Sequence, residues 1–245
     1  MKPVYDAIGV GYSAYRKPEP RVAVQLAEAL GDAQSVLNVG AGVGSYEHAD
    51  RAITAVEPSS VMIAQRPVAA APVVQAVAEN LPFADDSFDA VQAVLTLHHW
   101  SDQAAGLSEV CRVARDRVVF LSWVGHCTRF WLFDYFPEIE DMDDTMFPSV
   151  EWLSEVSGWR LRETVVPIPV DCVDGFMCAY WARPAAYLDP GVRAAISSFS
   201  RLQDVEQRIQ VLAADIESGR WHDCYGHWLA QNSVDFGYRV IALSP

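Results

Sequence analysis

The chain of 245 residues has little positive charge and only two lysines, Lys2 and Lys17. Its 18 lysines and arginines face 32 aspartates and glutamates, which gives a formal net charge of −14 at pH 7. Affinity for a phosphate backbone or an anionic lipid surface depends on clustered basic side chains. The charge balance therefore argues against nucleic acids and membranes as partners.

Paired cysteine motifs and long apolar runs are also missing. The five cysteines form an odd set without Cys-x-x-Cys spacing, so neither a disulfide framework nor a thiolate zinc site is indicated. His222, Cys224 and His227 lie close together, but their spacing matches no standard zinc pattern, and we predict no metal. Because no stretch has the pattern of a signal peptide or the length of a membrane span, we expect a cytoplasmic protein.

Short apolar runs alternate with helical patterns in the first half of the chain. The runs that have the length of buried strands cover residues 35–39, 52–56, 73–77, 90–94 and 117–122. Strands that alternate with helices form parallel sheets through right-handed crossovers, and such sheets bind ligands at the carboxyl ends of their strands. The sequence therefore predicts a doubly wound, Rossmann-like α/β fold.

The pattern changes after residue 122. Aromatic residues cluster at 130–136, and further strands are predicted near 161–166 and at 236–243. The roughly seventy residues between these strands are too many for a structureless loop, so we predict a helical cap over the sheet. We expect one domain, 1–245, with these parts: an N-terminal lid and helix (1–31), a ligand-binding core (35–122), a pocket region (123–170), the cap (171–232) and the last strand (233–245).

A glycine-rich turn follows the first strand candidate. Residues 38–45 read Asn-Val-Gly-Ala-Gly-Val-Gly-Ser, and glycine there lets a ligand approach the backbone closely. Glu57 ends the next strand, where a carboxylate can accept hydrogen bonds from both hydroxyls of an adenosyl ribose. A nicotinamide dinucleotide matches less well, because its fingerprint requires glycine where this chain has Ser45. The residues favour an adenosyl ligand.

Six segments occur in the order found in a known family: VLNVGAGVG (36–44), VEPS (56–59), AENLPF (78–83), SFDA (87–90), LHHW (97–100) and EVCRV (109–113). In these segments the chain resembles class I methyltransferases of the ubiquinone/menaquinone-biosynthesis type, which use S-adenosylmethionine (SAM). The resemblance implies a sheet of about seven mostly parallel strands with an antiparallel last strand. It also implies SAM as the methyl donor and S-adenosylhomocysteine (SAH) as the product.

The resemblance assigns cofactor contacts to particular residues. The implied set is Gly40, Ala41, Gly42, Gly44, Glu57, Pro58, Met62, Ala78, Glu79 and Leu95, together with Tyr12 and Arg16 of the N-terminal segment, where Arg16 faces the SAM carboxylate or is simply a surface residue. Two positions depart from the family. Asn38 stands where aspartate is usual, and Val77 replaces the usual polar partner of the adenine amino group. Either a backbone carbonyl or water substitutes for that partner, or SAM is held more loosely.

Methyl transfer needs alignment of the acceptor, and a general base only when the acceptor atom carries a proton. His98 and His99 follow the fourth strand, so we predict that one of them, His99 slightly ahead, is such a base, or that both are structural. With an ordinary pKa of about 6.5, a base of this kind would make the rate fall at acid pH.

The predicted acceptor is a small molecule or short peptide of secondary metabolism, methylated at O, N or C. The residues predicted to contact it are Trp100, Trp131, Asp134, Tyr135, Phe176 and Tyr180. The alternative is a SAM-binding regulator or assembly partner without catalysis. The sequence does not indicate an oligomeric state.

Overall fold

The structure is a computed structural model that describes residues 5–9, 11–125 and 127–245. The predicted segments 1–31 and 123–170 include residues 1–4, 10 and 126, which lie outside that description. The strands are, in chain order, β1 (Ser35–Val39), β2 (Ala52–Val56), β3 (Val73–Val74), β4 (Phe88–Val94), β5 (Ala114–Trp123), β6 (Arg160–Val165), β7 (Ile168–Pro169), β8 (Ser233–Val234) and β9 (Tyr238–Ser244).

Seven of these strands form one sheet in the order β3-β2-β1-β4-β5-β9-β6. The strand β9 is antiparallel to both β5 and β6, and the remaining neighbours pair in parallel. The predicted doubly wound fold with an antiparallel last strand is confirmed.

Both faces of the central strands are covered, which explains their continuous apolar runs. Val36 and Leu37 are adjacent in β1 and fully buried, yet they belong to two separate apolar clusters, one on each face of the sheet. The first face packs against α3 (Pro20–Leu30), which contributes Leu26 and Leu30. Consecutive residues of a strand point to opposite faces, so the apolar runs serve two layers at once.

The other helices are α1 (Tyr5–Ile8), α2 (Tyr12–Tyr15), α4 (Ser60–Ala64), α5 (Gln103–Val113), α6 (Pro137–Met146), α7 (Val150–Ser157), α8 (Pro190–Ala194), α9 (Val205–Glu217) and α10 (Arg220–Tyr225). Short 3-10 turns cover Leu97–His99, Trp131–Asp134, Pro184–Leu188, Ser197–Arg201 and Gly226–Ala230. Among the described residues, none of these helices has the length and apolar character needed to cross a bilayer.

The cap lies between β7 and β8, which pair with each other in antiparallel fashion. These two strands form a separate two-stranded sheet, so the two ends of the cap lie side by side. The cap contains α8, α9 and α10, and its Trp181, Trp221 and Trp228 join the same apolar cluster as α3. The cap thus shares a core with one face of the sheet.

The third strand is shorter than predicted. Only Val73 and Val74 pair with β2, because β2 itself ends at Val56 and offers no further partner. The following residues turn away from the sheet edge and line a cavity. The strands β7 and β8 were not predicted, since two residues are too few to show a periodic pattern.

Candidate active site

Two cavities lie at the carboxyl ends of the parallel strands. The larger cavity, of about 240 Å³, is formed by residues that follow β1, β2, β3 and β4, with Glu57 and His99 in its wall. The smaller cavity, of about 60 Å³, lies under the cap and has His98 in its wall. Tyr5 and Leu95 line both cavities, so the two spaces are neighbours.

The glycine-rich turn forms one side of the larger cavity. Gly40 has a φ of +68°, and a Cβ atom there would lie 2.1 Å from the Thr96 hydroxyl oxygen. Only glycine therefore lets the end of β1 approach the segment after β4. Gly42 also lines the cavity, with a φ of +52°.

Ala41 and Gly44 do not line the larger cavity, and their contact with the ligand stays a prediction. The Ala41 N–H donates to the Val56 carbonyl at 3.0 Å, so this residue fastens the turn to β2. The open side of Gly44 faces Ala70 and the Glu47 and Arg66 side chains. Both residues shape the turn from outside the cavity.

Glu57 is 5% exposed and is held by the backbone. One of its carboxylate oxygens accepts the Gly42 N–H and the other accepts the Ser59 N–H, each at 2.8 Å. Burial raises the pKa of Glu57, and the two backbone hydrogen bonds oppose that rise. A carboxylate oxygen has a second lone pair, so each can accept one more hydrogen bond from a group in the cavity.

Asn38 has a partner that explains its departure from the family pattern. Its buried amide donates to Glu47 at 3.4 Å, and Glu47 is paired with Arg66 at 2.6 Å. Arg66 also donates to the Gly42 carbonyl at 3.2 Å, which supports the glycine-rich turn from behind. An aspartate at position 38 would place a second buried carboxylate against Glu47. Glu47 and Arg66 were not predicted from the sequence, because no local pattern marks these contacts.

The wall beyond β3 includes Val77, which is 46% exposed and offers no polar side chain to the cavity. Glu79 also lies in this wall, but its carboxylate accepts the N–H and the hydroxyl of Ser101, at 2.6 and 2.7 Å. Glu79 therefore fixes the segment after β4. Three further predicted cofactor residues line the same cavity, namely Pro58, Met62 and Ala78.

Comparison with known proteins identifies the family. A profile of the methyltransferase domain matches residues 37–121. A solved structure from Anabaena variabilis, named as a candidate methyltransferase of an antibiotic biosynthesis pathway, is 32% identical, with a TM-score of 0.86 over 94% of this chain and 99% of that chain. The chain belongs to the class I SAM-dependent methyltransferases. Its cofactor is accordingly SAM.

Two further relatives match a smaller part of this methyltransferase. The uncharacterized protein YafE of Escherichia coli is 36% identical over 96 residues, which cover 36% of this chain and 44% of YafE. The chain described here thus spans less than half the length of this curated relative. A candidate histamine N-methyltransferase from Thermotoga maritima is 21% identical, with a TM-score of 0.51 over 69% of this chain and 86% of that chain, and shares the fold.

Trp100 of the methyltransferase lines the larger cavity, and its contact with the acceptor stays a prediction. The Trp100 ring packs on α5. A Cβ atom at Gly106 would lie 2.4 Å from this ring, so the contact requires glycine there. The ring also makes an edge contact with Phe120 of β5, at 6.2 Å between ring centres.

The N-terminal segment reaches both cavities of the methyltransferase. Tyr12 lines the larger cavity and Arg16 lines the smaller one. The Arg16 guanidinium donates to Asp174 of the cap at 2.6 Å and to the Tyr12 hydroxyl at 2.7 Å. The Arg16 side chain is only 11% exposed, which contradicts the alternative of a surface residue, and its contact with the SAM carboxylate stays a prediction.

The two histidines lie in different cavities, although their ring centres are only 3.9 Å apart. His98 packs against Phe147 in the smaller cavity, at 4.3 Å between ring centres. The His99 Nε2 atom is 3.2 Å from the Tyr5 hydroxyl. Within the described part of the chain, neither Nδ1 atom has a hydrogen-bond partner. Burial lowers the pKa of His98 well below its ordinary value and that of His99 to about 4, so both rings are neutral at physiological pH.

These pKa values shift the expected fall in the rate of methyl transfer to a pH below 6.5. They also predict that the fold is sensitive to acid. Unfolded histidine takes up a proton at about pH 6.5, whereas folded His99 does so at about 4, so the free energy of unfolding should fall as the pH drops through this range. The full difference for His99 corresponds to about 3 kcal/mol.

Urea unfolding at pH 7, 6 and 5 should show a weaker pH dependence for His99→Gln than for the wild type. His222→Gln, at an exposed site, is the control. Equal pH dependence in all three proteins would contradict the prediction.

Of the residues predicted to contact an acceptor, Phe176 lines the smaller cavity. Four others line neither cavity, so no observation supports their predicted contact with the acceptor. The Trp131 indole is buried and donates to the Trp181 carbonyl at 2.7 Å. The Tyr135 hydroxyl donates to Asp215 at 2.8 Å. The others are Asp134, bonded to Arg129 and Tyr225, and Tyr180, whose ring lies under the Arg183 guanidinium.

The aromatic wall of the smaller cavity comes partly from the cluster at 130–136, which was expected near the acceptor, and partly from residues that were not predicted there. Its aromatic residues include Trp123, Phe130, Phe133, Phe147, Phe236 and Tyr238. Phe130 and Phe133 belong to the aromatic cluster after β5, but the others come from separate segments. Within the described residues, no three His, Cys, Asp or Glu side chains are grouped as metal ligands.

Proposed function

We propose that this methyltransferase transfers the methyl group of SAM to a small molecule or short peptide of secondary metabolism, held in the smaller cavity. The observation that carries the proposal is that Tyr5 and Leu95 line both cavities. A methyl group carried by SAM in the larger cavity would then be next to an acceptor in the smaller one. The name of the Anabaena variabilis relative, similar over nearly its whole length, supports secondary metabolism.

The larger cavity offers the contacts that SAM requires. The backbone at Gly40 and Gly42 approaches the methionyl and ribose part, and Glu57 accepts hydrogen bonds from the ribose hydroxyls. Met62 packs against the adenine face, since its thioether is polarizable. Val77 cannot bond the adenine amino group, so a backbone carbonyl or a water molecule takes that role.

The smaller cavity selects a compact, largely apolar acceptor. Its wall is dominated by aromatic rings, among them Trp123, Phe147 and Tyr238, which favour flat or apolar groups. Its volume of about 60 Å³ is well below the roughly 300–1,000 Å³ of pockets that take drug-sized ligands. We therefore expect a small acceptor, or the narrow end of a larger one.

In this proposal His98 removes the proton of the acceptor. The acceptor atom attacks the methyl carbon, the bond from that carbon to the sulfonium sulfur breaks, and SAH leaves with the electron pair. If the acceptor atom carries a proton, a neutral imidazole in the same cavity can take it. The geometry favours His98 over His99, since His99 lines the larger cavity and its Nε2 atom contacts Tyr5.

The proposal can be tested with SAM that carries tritium in its methyl group. The measurement is transfer of the label to matched sets of small phenols, amines, thiols and carboxylic acids. We expect label in one chemical class of compact acceptor. Binding of SAH without transfer to any class would favour the SAM-binding regulator instead, and transfer to nucleic acid would contradict the choice of acceptor.

A cavity-filling variant tests the place of the acceptor. Ser198 is 8% exposed and lines the smaller cavity, so Ser198→Leu should lower methyl transfer by about fivefold or more through crowding. Affinity for SAH should stay constant, because Ser198 does not line the larger cavity. The matched control is Ser200→Leu, two residues further along the same 3-10 turn and exposed. Equal transfer by both variants would place the acceptor elsewhere.

A further inference from the structure

The cap contains a buried carboxylate that is bonded to the N-terminal segment and to the residue after the glycine-rich turn. Asp174 is 1% exposed, and it lies just after β7, where the cap begins. One of its oxygens accepts the Arg16 Nε–H at 2.6 Å, and the other accepts the Tyr46 hydroxyl at 2.8 Å. Arg16 and Tyr46 lie 158 and 128 residues earlier in the chain.

Each of these two partners is connected to a wall of the larger cavity. Arg16 donates to the hydroxyl of Tyr12, which lines that cavity. Tyr46 follows the glycine-rich turn, and its hydroxyl also accepts the Glu19 N–H at 3.1 Å. Asp174 thus fixes both the N-terminal segment and the end of the turn.

A second set of contacts holds the N-terminal segment against the cap. The Gly175 N–H donates to the Tyr15 carbonyl at 3.0 Å, and a Cβ atom at Gly175 would lie 2.6 Å from that oxygen. A Cβ atom at Gly191, in α8, would lie 2.1 Å from the Tyr15 hydroxyl. A larger residue at position 175 would collide with the backbone of Tyr15, and one at position 191 would displace the Tyr15 side chain.

Stability alone does not explain a buried ion pair at this place. Desolvation of two charges offsets most of their attraction, and apolar residues of similar volume often stabilise a fold equally well. The pair does impose a defined geometry, because the planar guanidinium and the carboxylate bond in fixed directions. That geometry is what a binding site for SAM requires.

We propose that Asp174 is a positioning residue that joins the cap to the SAM site. It holds Arg16, and through it Tyr12, and it holds Tyr46 at the end of the glycine-rich turn. Binding of SAM therefore orders the cap, and the cap completes the smaller cavity. This inference rests on SAM occupying the larger cavity.

Titration calorimetry with SAH tests the inference. Asp174→Asn should weaken SAH binding by about fivefold to tenfold, because the amide loses the charge that holds Arg16. The control is Asp171→Asn, which removes another ion pair between the cap and the N-terminal segment, to Arg21, at an exposed site. We expect the control to stay within about twofold of the wild type. Asp174→Asn within twofold of the wild type would overturn the inference, whereas no SAH binding by the wild type would overturn the proposed function.

Two further measurements separate positioning from a merely structural role. If Asp174 acts through Tyr12, the effects of Asp174→Asn and Tyr12→Phe on SAH affinity should be less than additive, and additive effects would contradict the inference. SAH should also slow amide hydrogen exchange in cap residues 176–201 of the wild type but not of Asp174→Asn. Equal slowing in both proteins would contradict it as well. If Asp174→Asn does not fold, Tyr46→Phe removes one of the two hydrogen bonds to Asp174 and should change both measurements in the same direction.

Discussion

Replacing His98 by alanine should lower methyl transfer by about a hundredfold to ten-thousandfold, because removal of the acceptor proton belongs to the transition state. Affinity for SAH should stay nearly constant, since His98 lines the smaller cavity and not the larger one. The measurement is single-turnover transfer at saturating SAM, with an acceptor found by tritium labelling. Because burial lowers the pKa of His98, the wild-type rate should remain constant as the pH falls through 6.5, and decline only at lower pH.

The matched control for this prediction is His99→Ala. His99 lines the larger cavity and contacts the Tyr5 hydroxyl, so its loss should weaken SAH binding more than it lowers the rate of the chemical step. If both variants lost thermal stability and SAH affinity together, the histidines would be structural. Unchanged turnover by stable His98→Ala would mean that the acceptor needs alignment alone.

The fold and the SAM side of the site could be predicted because their signals are local. The glycine-rich turn and Glu57 stand directly after buried strands, and in a parallel sheet the carboxyl ends of neighbouring strands meet at one edge. The alternation of strands and helices predicted the sheet for the same reason. The pairs β2–β3 and β7–β8 were less predictable, because a strand of two residues forms only where the neighbouring strand has residues to pair with it.

The acceptor side could not be predicted in the same way. Phe130 and Trp131 are adjacent, yet Phe130 lines the smaller cavity while Trp131 is packed among the aromatic residues of the cap. The cap decides which of the two rings faces the cavity. The position of the cap depends on contacts between residues that are far apart in sequence. The bond between Arg16 and Asp174 spans 158 residues and has no local pattern. The resemblance therefore left Arg16 either at the SAM carboxylate or on the surface, whereas the structure buries it and pairs it with Asp174 of the cap.

Replacing Glu57 by alanine should weaken binding of SAM and SAH by about tenfold to a hundredfold. Two hydrogen bonds from the ribose hydroxyls to a charged group would be lost, and each contributes about 1.5 to 3 kcal/mol. The expected change is smaller than their sum, because water replaces part of the lost interaction. Glu57 also accepts the Gly42 and Ser59 N–H groups, so the variant loosens the glycine-rich turn itself.

The isosteric variant Glu57→Gln separates these two contributions to cofactor binding. Both carboxylate oxygens of Glu57 accept a backbone N–H, whereas glutamine keeps one acceptor oxygen and turns an NH₂ group toward the other N–H. We therefore expect Glu57→Gln to retain the shape of the site but to bind SAH less tightly than the wild type.

Glu28→Ala, on α3 and remote from both cavities, is the control and should bind SAH as the wild type does. Calorimetric titration with SAH and with NAD measures all three variants, together with their melting temperatures. Measurable NAD binding would contradict the choice of cofactor, and SAH affinity unchanged in Glu57→Ala would contradict the placement of the ribose at Glu57.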